Sequence, residues 1–498
     1  MNIYTAQQLR AWDAYTIEHE PISSLGLMER AAAACVGWIG VHDWKDRNFI
    51  VICGKGNNGG DGLAIARLLL ARGYRLSVYV LATGKPGSPD FEANLKNLHP
   101  AGIVKLILST NDFPPLREED MVIDAMFGSG LQRPLEGLAA TLAAYLNRLA
   151  CTVISIDLPS GLFMDGPSAG EAIVHASYTL TFQAPKLALL VQDNASYIGD
   201  VHVLDIGLHP GYPEQVEPPA VYVKDKLVRQ IYRPRPRFAH KGHFGHALLI
   251  AGSHGKSGAA LLAARACLGS GAGLLTCSIP ADAYIGFLTA LPEAMVLTGN
   301  EAHGLKLPDS LDTYTALGIG PGLGQSARAQ EVMVATLRNF RRPMVIDADG
   351  LNCLSLRPGL LKGLVPMSIL TPHPREFDRL FGENSSSFDR IAKAVQKAKE
   401  LRVVIVLKGH HSLIVTPEGK MYFNSTGNAG MAKGGSGDVL TGMLTALLSQ
   451  GYASVHAAIL GVFLHGLAGD LAAEELGREA MLASDIIAHL GHAFNGLQ

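Results

Sequence analysis

Two series of short, continuously apolar segments rich in β-branched residues alternate with helical patterns in this chain, and this alternation constrains its fold more than any other feature. The first series runs through residues 48–183 and the second through residues 246–409. Continuous apolar strands separated by helices are typical of parallel sheets covered by helices on both faces. The sequence therefore predicts an α/β fold in each half of the chain.

The pattern locates the individual elements. Strands are predicted at 48–53, 75–80, 102–108, 121–125, 151–157 and 178–183, and then at 246–252, 315–320, 343–349, 367–372 and 403–409. Helices are predicted over 61–72, 386–400 and 438–448. No short-period repeat is found, so the halves are predicted to be two different domains and not a duplication.

A proline-rich segment separates the two series. Six prolines lie between Pro210 and Pro236, and proline disfavours regular structure. A chain of 498 residues is also too long for one ordinary core. We therefore predict a first domain over 1–210, a linker or surface strap over 211–234, and a second domain over 235–498.

Composition limits the classes of function. Apolar residues make up 48% of the chain, charged residues 17%, and the net charge is −2, so disorder and attraction to nucleic acid or anionic membrane have little support. The six cysteines include no C-x-x-C pair and are expected to be buried, reduced thiols. The sequence shows no signal peptide and its longest apolar runs look too short to span a bilayer, so we expect a cytoplasmic protein.

The predicted strand 48–53 leads directly into the glycine-rich stretch GKGNNGGDG, residues 54–62. Glycine lets a ligand approach the backbone closely, and the start of the following helix offers unpaired N–H groups to an anion such as phosphate. A tight strand-to-helix turn is the simpler alternative. The polar side chains of Asn57, Asn58 and Asp61 favour a binding site, because a turn alone does not require them.

Two other predicted strands of this half end in polar residues. Asp124 ends one strand and is followed by a glycine-serine loop, and Asp157 and Ser160 end another. Loops at the carboxyl ends of parallel strands converge on one crevice, so Asn58, Asp124 and Ser160 together offer oxygen atoms to a hard cation rather than to zinc. The alternative is that each aspartate only caps the turn that follows it.

GNNGGDG, IDAMFGSGLQRP and DLPSG together resemble the signature loops of the NAD(P)H-hydrate epimerases, the YjeF N-terminal domain family, over most of residues 1–210. The resemblance implies a Rossmann-like three-layer sandwich and a K⁺ site made by Asn58, Asp124 and Ser160. It also implies that the hydrated dinucleotide is held by Asn57, Asn58, Gly59, Gly60, Asp61, Gly128, Ser129, Gly130, Leu131, Gln132, Arg133, Pro134 and Asp157.

The implied reaction inverts C6 of the reduced nicotinamide ring, the carbon that carries the added hydroxyl. An acid–base group beside this carbon would help the hydroxyl leave and return, or the ring open and close. Asp157 is the candidate for this role. Lys186 is a weaker one, because such a lysine is more often solvated than catalytic.

The second half contains the stretch GNAGMAKGGSGDVLTG, residues 427–442, just before a predicted helix. Backbone N–H groups of Gly435–Gly437 would stabilise charge on a transferred phosphoryl group, and Asp438 would take the proton of the attacking hydroxyl. The alternative is that Asp438 is only a helix N-cap. The P-loop pattern is absent, so this is not a Walker-type site.

This loop resembles the anion hole of the ribokinase-like fold. With the segments 251–275, 318–324, 346–352, 370–377 and 407–414, it is similar to the ADP/ATP-dependent NAD(P)H-hydrate dehydratases over residues 235–498. The resemblance implies that the hydrated dinucleotide contacts Ala259, Gly322, His373 and Asp438. It also implies that the AMP portion of the nucleotide contacts Lys408, Gly409, His410, His411, Ser412 and Gly437.

One motif of this half departs from the family pattern. The usual HPGE is HPRE here, with Arg375 in place of the glycine, which puts the geometry of this turn in doubt. His373 has its own alternative role as a cap on the turn that follows.

Together the resemblances imply a bifunctional isomerase and lyase that repairs hydrated NADH and NADPH. In the second half, ADP or ATP with Mg²⁺ would phosphorylate the C6 hydroxyl, and elimination of phosphate would restore the cofactor; the fused form suggests ADP. We also expect a homo-oligomer. The competing interpretation is a hydroxymethylpyrimidine or sugar kinase fused to a non-catalytic nucleotide-binding module.

Overall fold

The protein forms two compact units in the computed structural model, which describes residues 1–82, 84, 86–99, 101–168, 170, 172–299 and 304–498. The first unit comprises Met1–Ala220 with Ser386–Phe388, and the second comprises Val221–Ser385 with Asp389–Gln498. The division falls inside the proline-rich segment.

Strands and helices alternate through the first unit. In chain order they are β1 (Asn2–Ile3), α1 (Ala6–His19), α2 (Ser24–Ile39), β2 (Asn48–Cys53), α3 (Asn57–Ala71), β3 (Arg75–Leu81), α4 (Pro89–Asn97), β4 (Val104–Ile107), β5 (Met121–Ala125), α5 (Gly137–Leu146), β6 (Thr152–Ile156), β7 (Tyr178–Phe182), α6 (Ala195–Ile198) and β8 (Asp200–Leu204).

Parallel strands form the sheet of this unit in the order β4-β3-β2-β5-β6-β7-β8. Alternate residues of β2 face opposite sides, as the pleat requires. Phe49 and Val51 pack with α2 and α3, whereas Ile50 and Ile52 pack with α5. The predicted Rossmann-like three-layer sandwich is confirmed.

The first unit differs from prediction at the start of α3 and at strand β8. Helix α3 begins at Asn57 instead of residue 61, so most of the glycine-rich stretch is the first turns of a helix and not a loop. Glycine lowers helix propensity, but burial of Gly59, Gly60 and Gly62 in close packing outweighs it here. Strand β8 was not predicted, because its residues are only partly buried and lack a continuous apolar run.

The second unit also alternates strands with helices. In chain order they are β9 (Ala220–Tyr222), α7 (Asp225–Ile231), β10 (His246–Ile250), α8 (Ser257–Gly269), β11 (Leu274–Ser278), α9 (Tyr284–Ala290), β12 (Met295–Leu297), β13 (Ala316–Ile319), α10 (Ala327–Asn339), β14 (Met344–Ile346), α11 (Ala348–Leu356), β15 (Ile369–Leu370), α12 (Pro374–Phe381), α13 (Ser387–Leu401), β16 (Val404–Leu407), β17 (Leu413–Val415), β18 (Met421–Phe423), α14 (Ser436–Ser449), α15 (Ser454–Leu476) and α16 (Ala483–Asn495).

Its strands follow the order β9-β18-β17-β16-β15-β14-β13-β10-β11-β12. Pairing is parallel from β12 to β16 and antiparallel where β17 and β18 are added. The parallel strands β11 and β12 were not predicted. The two antiparallel strands, β17 and β18, were not predicted either. They are three residues each, too short for a clear pattern.

Part of the predicted linker is regular structure instead. Helix α7 lies within 211–234, and its Val228 and Ile231 join the core of the second unit together with Val223. The prolines lie on either side of β9 and α7 rather than inside α7, so they do not prevent a helix from forming.

Helix α15 shows why an apolar run alone is ambiguous. The run AAILGVFL belongs to a helix of 23 residues with a mean hydropathy of 1.5 in its most apolar window, which is long enough to cross a membrane. However, 72% of that window is buried inside the protein, as expected for a core helix. Among the described residues, the cysteines are free and buried, as predicted.

The contact between α14 and α8 gives a direct test of the core of the second unit. A Cβ on Gly442 would lie 2.0 Å from the Ala263 carbonyl oxygen, so Gly442→Ala forces the helices apart and is expected to cost about 1–3 kcal/mol. Calorimetry of the full chain should show one unfolding transition at lower temperature. The unfolding temperature detected by tryptophan fluorescence should be unchanged, because all three tryptophans (Trp12, Trp38 and Trp44) lie in the first unit.

Gly491→Ala on α16 is the matched control, because a Cβ there meets nothing within 4 Å. It should be neutral or stabilising by up to about 1 kcal/mol through helix propensity. Equal stability of the two variants would contradict the packing interpretation.

Candidate active sites

Four parallel strands of the first unit, β2, β5, β6 and β7, deliver polar residues to one edge of the sheet. Helix α3 starts against this edge without room for side chains, because a Cβ on Gly59 would lie 1.8 Å from the Gly54 carbonyl oxygen. Gly128 is equally constrained, since its Cβ would lie 2.8 Å from Asp157 Oδ2 and 3.1 Å from Asn58 Cγ. The glycines therefore allow Asn58 and Asp157 to meet the loop after β5.

Asp124, at the end of β5, is fully buried and bonded to Ser160. The Ser160 hydroxyl donates to Asp124 Oδ1 at 2.6 Å, and the Ser160 backbone N–H donates to Oδ2 at 2.9 Å. Burial raises the pKa of Asp124, and the hydrogen bonds from Ser160 and Ser155 oppose that rise. The structure thus brings Asp124 and Ser160 together.

Asn58 completes this group by position. Its side-chain Nδ2 and Oδ1 are both buried and have no hydrogen-bond partner among the described residues. Unsatisfied buried amides are costly. Asn58 lies against Gly128, and Ser160 accepts the N–H of the neighbouring Phe127 at 2.9 Å. A polar ligand at this point would satisfy Asn58.

Asp157 follows β6 in a left-handed backbone conformation, with φ of 68°. Its Oδ2 accepts the Ser129 N–H at 2.8 Å, and its Oδ1 lies 3.1 Å from Lys186 Nζ. Burial alone would raise the pKa of Asp157, but the Lys186 ammonium and the Ser129 hydrogen bonds more than offset it and hold the pKa below its ordinary value. Asp157 is therefore ionised at neutral pH.

Lys186 differs from the expectation of a solvated side chain. It is 1% exposed, and its Nζ donates to the Phe182 carbonyl oxygen at 2.7 Å as well as pairing with Asp157. A lysine is almost never fully buried unless it is paired. The apolar pattern around it, FQAPKLAL, was the signal for burial.

The remaining residues predicted to bind the dinucleotide form a partly exposed rim. Gly59 and Gly60 are buried in α3, Asp61 is partly buried, and Leu131 packs on the core. Burial, and then the charge of Asp157, raise the pKa of Asp61 well above its ordinary value. Asn57, Gly130, Gln132 and Arg133 are exposed, and Pro134 is partly exposed.

The second unit contains a cavity of about 440 Å³ at the carboxyl ends of its strands. Three of the four residues predicted to contact the dinucleotide, Ala259, Gly322 and Asp438, line it. The full lining is Gly255, Lys256, Gly258, Ala259, Gly322, Ala348, Asp349, Asn352, Glu376 and Asp438.

Asp438 lies in the first turn of α14 but does not cap it. The N-cap is Gly435, in a left-handed conformation with φ of 95°, and no side chain caps the helix. Burial, followed by the charge of Asp347, raises the pKa of Asp438 to about 7, and Lys408 opposes the rise. The carboxyl is therefore poised to exchange a proton near neutral pH.

A second lysine–aspartate pair, formed by partly buried Lys408 and buried Asp347, lies beside Asp438. Lys408 Nζ is 2.7 Å from Asp347 Oδ1 and 3.8 Å from Glu376 Oε2, and the Thr441 hydroxyl donates to Asp347 Oδ2 at 2.7 Å. Burial alone would lower the pKa of Lys408, but Asp347 and Glu376 raise it above its ordinary value. Lys408 is thus a fixed positive charge near Gly437 and Asp438.

Asp470 on α15 anchors the glycine-rich loop 427–435. Its Oδ2 accepts the Gly427 N–H at 2.9 Å, and its Oδ1 accepts the Asn428 side-chain amide at 2.9 Å. Buried His465 lies 3.5 Å from the Ser436 hydroxyl, and burial lowers its pKa to about 4, so it is neutral.

His373 is the helix cap that the alternative interpretation described. Its Nδ1 accepts the N–H groups of Arg375 and Glu376 at 3.1 and 3.2 Å, and it is not among the residues lining the cavity. Arg375 occupies an exposed position in the first turn of α12 without a positive φ. The turn therefore does not need glycine, and the departure from HPGE leaves its geometry intact.

The segment predicted to hold the nucleotide, 408–412, is a turn between β16 and β17. The Ser412 hydroxyl donates to the Gly409 carbonyl oxygen at 3.1 Å. His411 contacts the Asn424 carbonyl oxygen at 3.0 Å, and burial lowers its pKa to about 4. His410 is exposed, and only Lys408 reaches the carboxylate cluster.

Several residues at the two sites were not predicted. Asp347, Asp349 and Glu376 lie inside motifs that were recognised, IDADGLN and HPREF, but had no assigned role. Asp349 accepts the Gly324 N–H at 2.8 Å, which fixes the loop after β13. Asp470 lies in a helix that is far in sequence from any glycine-rich motif, so no local signal marked it.

The NAD(P)H-hydrate dehydratase family matches residues 247–491, and the YjeF-related protein N-terminus family matches residues 24–188. A ribokinase-like superfamily protein of Enterococcus faecalis shares 27% identity with a TM-score of 0.50, covering 57% of this chain and 98% of that one. An NAD(P)H-hydrate dehydratase of Bacillus subtilis, co-crystallised with ATP and Mg²⁺, shares 31% identity with a TM-score of 0.49, covering 56% of this chain and 99% of that one.

The fold and the paired sites thus define a two-domain enzyme with a Rossmann-like half and a ribokinase-like half. The bifunctional NAD(P)H-hydrate repair enzyme of Moorella thermoacetica is 35% identical over all of this chain and 97% of its own length. The chain belongs to the family of bifunctional NAD(P)H-hydrate repair enzymes.

The Lys186–Asp157 pair should stabilise the first unit only while both partners are present. Lys186→Met leaves the Asp157 charge buried and unpaired, which is expected to cost about 3–5 kcal/mol. Urea unfolding followed by tryptophan fluorescence measures this unit specifically, because its three tryptophans are the only ones in the sequence.

The double variant Asp157→Asn/Lys186→Met removes both charges and should recover most of the lost stability. A double variant as unstable as Lys186→Met alone would show that the lysine contributes through packing and not through the ion pair.

Proposed function

We propose that the chain repairs hydrated NADH and NADPH, with an epimerase in its first unit and a nucleotide-dependent dehydratase in its second. The observation that carries this proposal is the presence in each unit of a buried aspartate paired with a lysine at the carboxyl edge of a parallel sheet. A dehydratase shaped for one C6 epimer leaves the other unrepaired. An epimerase in the same chain makes all of the damaged cofactor available to it.

In the first unit, Asp157 is the acid–base residue for inversion at C6. It is ionised, held by Ser129 and Lys186, and aimed at the loop after β5. The rim formed by residues 57–61 and 128–134 would hold the dinucleotide. The N-terminus of α3 suits its pyrophosphate, because unpaired N–H groups and the helix dipole favour anions there.

A K⁺ ion fits beside this site, held by Asn58, Asp124 and Ser160. The donors are an amide, a carboxylate and a hydroxyl, all oxygen ligands that suit a hard cation. The unpartnered Asn58 amide and the buried Asp124 carboxylate both support a cation here. When bound, the ion would neutralise Asp124 and fix the loop after β5.

In the second unit, Asp438 accepts the proton of the C6 hydroxyl as that oxygen attacks the terminal phosphoryl group of the nucleotide. The free N–H groups at the start of α14 and the Lys408 ammonium would stabilise the charge that develops on the phosphoryl oxygens. Elimination of phosphate from C6 then restores the dihydropyridine, because phosphate is a better leaving group than hydroxide.

Mg²⁺ with ADP or ATP is the proposed co-substrate. No described group of three or more histidine, cysteine or acidic side chains is arranged to hold a metal ion by itself. Asp349, Glu376 and Asp438 nevertheless line the cavity, and Mg²⁺ typically binds one or two carboxylates together with substrate phosphates. The ion would therefore arrive with the nucleotide and neutralise its phosphates. Residues 408–412 and Gly437 would contact the AMP portion.

The protein is proposed to act in the cytoplasm as a homo-oligomer. The buried thiols of its described cysteines suit a reducing compartment. The kinase interpretation is not favoured, because the first unit retains Asn58, Asp124, Asp157 and Ser160 and both units match the repair family.

Two variants separate the two activities in the full chain. Asp157→Ala should slow enzymatic conversion of the R epimer to the S epimer by about 10²- to 10⁴-fold, the usual contribution of acid–base catalysis. Dehydration of the pure S epimer should be unchanged. Epimers are separated by chromatography without nucleotide, and dehydration is followed by recovery of reduced-nicotinamide absorbance with ADP and Mg²⁺.

Asp438→Ala should give the opposite result, with dehydration lost, epimerisation retained and nucleotide binding preserved in calorimetry. Each variant serves as the control for the other. Normal dehydration by Asp438→Ala, or normal epimerisation by Asp157→Ala, would remove that residue from its role. Failure of the unaltered protein to recover NADH would refute the function itself.

Potassium should stabilise the first unit and Asn58 should be required for it. A ligand that binds only the folded state stabilises it in proportion to the logarithm of its concentration. Tryptophan-detected unfolding temperature should rise with KCl more than with choline chloride at equal ionic strength. Asn58→Leu should abolish this difference, and an equal response of both proteins would exclude Asn58 as a ligand.

A further inference from the structure

Helix α1 of the first unit packs across the ends of the strands that carry Asp157 and Lys186. Its Ala6 and Leu9 contact a cluster formed by Leu158, Met164, Ala188 and Leu189. Leu158 follows Asp157 directly, and Ala188 lies two residues after Lys186. The first turns of α1 therefore lie against both segments of the epimerase site.

Asp13 lies on the same face of α1, one turn after Leu9. Residues i and i+4 of a helix are neighbours on its surface, so the Asp13 carboxyl is carried toward the same strand ends. Trp12 and Thr16 on either side of it are buried, which fixes the helix in rotation. The Trp12 indole donates to the His209 carbonyl oxygen at 2.8 Å, and the Thr16 hydroxyl donates to the Trp12 carbonyl oxygen at 2.8 Å.

The Asp13 carboxyl is partly buried and has no hydrogen-bond or ion-pair partner among the described residues. The charges that act on it are those of the site, Asp157 and Lys186. Asp61, at the start of α3, is coupled in turn to both Asp157 and Asp13. A partly buried acid without a hydrogen-bond or ion-pair partner, whose titration is influenced by an ionised aspartate, has no evident structural purpose.

Burial, followed by the charge of Asp157, raises the pKa of Asp13 to about 6, with Lys186 opposing. The pKa of Asp157 is shifted in the other direction. Two carboxyl groups of one site whose pKa values are pushed apart are typical of an acid and a base that work together. Other ionisable groups on elements that contact α1 are Arg30 and Glu20, which pair with each other, Asp165, which accepts the Ala6 N–H, and His209 and Tyr212, which contact Tyr15.

We propose that Asp13 is the second acid–base residue of the epimerase, acting on the C6 hydroxyl from α1 while Asp157 acts from the end of β6. This inference rests on the proposed epimerase function. It assigns a role to a helix that contributes none of the glycine-rich motifs.

The proton balance is complete without any further reactant. Asp13 in its acid form gives its proton to the C6 hydroxyl, and the C6–O bond breaks with its electron pair leaving on water. The lone pair of the ring nitrogen forms the C6–N double bond. Water then adds to C6 from the opposite face, its proton passes to the Asp157 carboxylate, and the nitrogen recovers its lone pair. Return of one proton from Asp157 to Asp13 through solvent resets the site.

The pair must therefore hold one proton in total. Below pH 6 Asp13 is protonated and Asp157 remains ionised, so the enzyme is active. As pH rises through about 6, Asp13 loses its proton and kcat/KM for epimerisation should fall tenfold per pH unit. This descending limb is the signature of Asp13.

The test compares Asp13→Asn in the full chain with the unaltered protein and with Glu18→Gln. Glu18 is an exposed acid on the same helix, so this control removes the same charge without touching the site. Conversion of pure R epimer is measured between pH 5 and 8 without nucleotide, after subtraction of the spontaneous rate. Dehydration of the S epimer reports the intact second unit.

Asp13→Asn is expected to lower kcat at least about 10²-fold with little change in KM, to lose the limb near pH 6, and to keep normal dehydration. Glu18→Gln should match the unaltered protein. Asp13→Ser also lacks a carboxyl group and should lower kcat to the same extent. A smaller loss in Asp13→Ser would show that the effect of Asp13→Asn comes from the introduced asparagine amide.

Two results would overturn the proposal. One is an Asp13→Asn enzyme with an unchanged rate. The other is a slowed enzyme that keeps the limb near pH 6 or whose unfolding temperature falls, since the residue would then act structurally. Absence of epimerisation by the unaltered protein would instead refute the proposed function, which separates the two failures.

Discussion

Both sites of this protein depend on a lysine ammonium that is paired with the buried aspartate directly following a parallel strand. Lys186 pairs with Asp157 after β6, and Lys408 pairs with Asp347 after β14. A buried charge is tolerated only when it is paired and hydrogen-bonded. Each pair is completed by a hydroxyl or amide donor, Thr441 in one case and the Ser129 N–H in the other. The geometry of each site is thus fixed before any ligand binds.

Each ion pair also sets the protonation of a neighbouring carboxyl group. Burial and the charge of Asp157 together raise the pKa of Asp13. Burial and the charge of Asp347 together raise the pKa of Asp438. The lysine opposes the rise in both cases, so the shift stops near the physiological range instead of leaving the acid permanently neutral. The two α/β units therefore share one electrostatic arrangement, in which a lysine–aspartate pair lies near a carboxyl group whose pKa is raised toward neutrality.

The alternation of strands and helices was sufficient to predict most strands of both sheets, because parallel strands are buried on both faces and leave a continuous apolar signal. It missed β8, β12, β17 and β18, which are short or only partly buried, and also β11, which is buried. Motif position indicated Asn58, Asp124, Ser160, Asp157 and Asp438, since all follow strand ends or begin helices. It did not indicate Asp13 or Asp470, which are brought to their sites by the packing of helices that are distant in sequence. The burial of Lys186 was missed, although the apolar residues around it in FQAPKLAL signalled it. The packed structure also shows that His373 caps α12, a role that the sequence offered only as an alternative.

The two activities place opposite demands on pH. Epimerisation needs the proton of Asp13, which is lost as pH rises through about 6, whereas phosphoryl transfer needs ionised Asp438, which gains its proton as pH falls through about 7 in the free protein. Repair of both epimers in one chain is therefore balanced near neutrality, where each residue is still partly in its active form. Acidic conditions favour interconversion of the epimers without their removal, and basic conditions favour removal of the S epimer while the R epimer accumulates. A fused enzyme with this electrostatic arrangement clears both epimers together only where the two protonation ranges overlap.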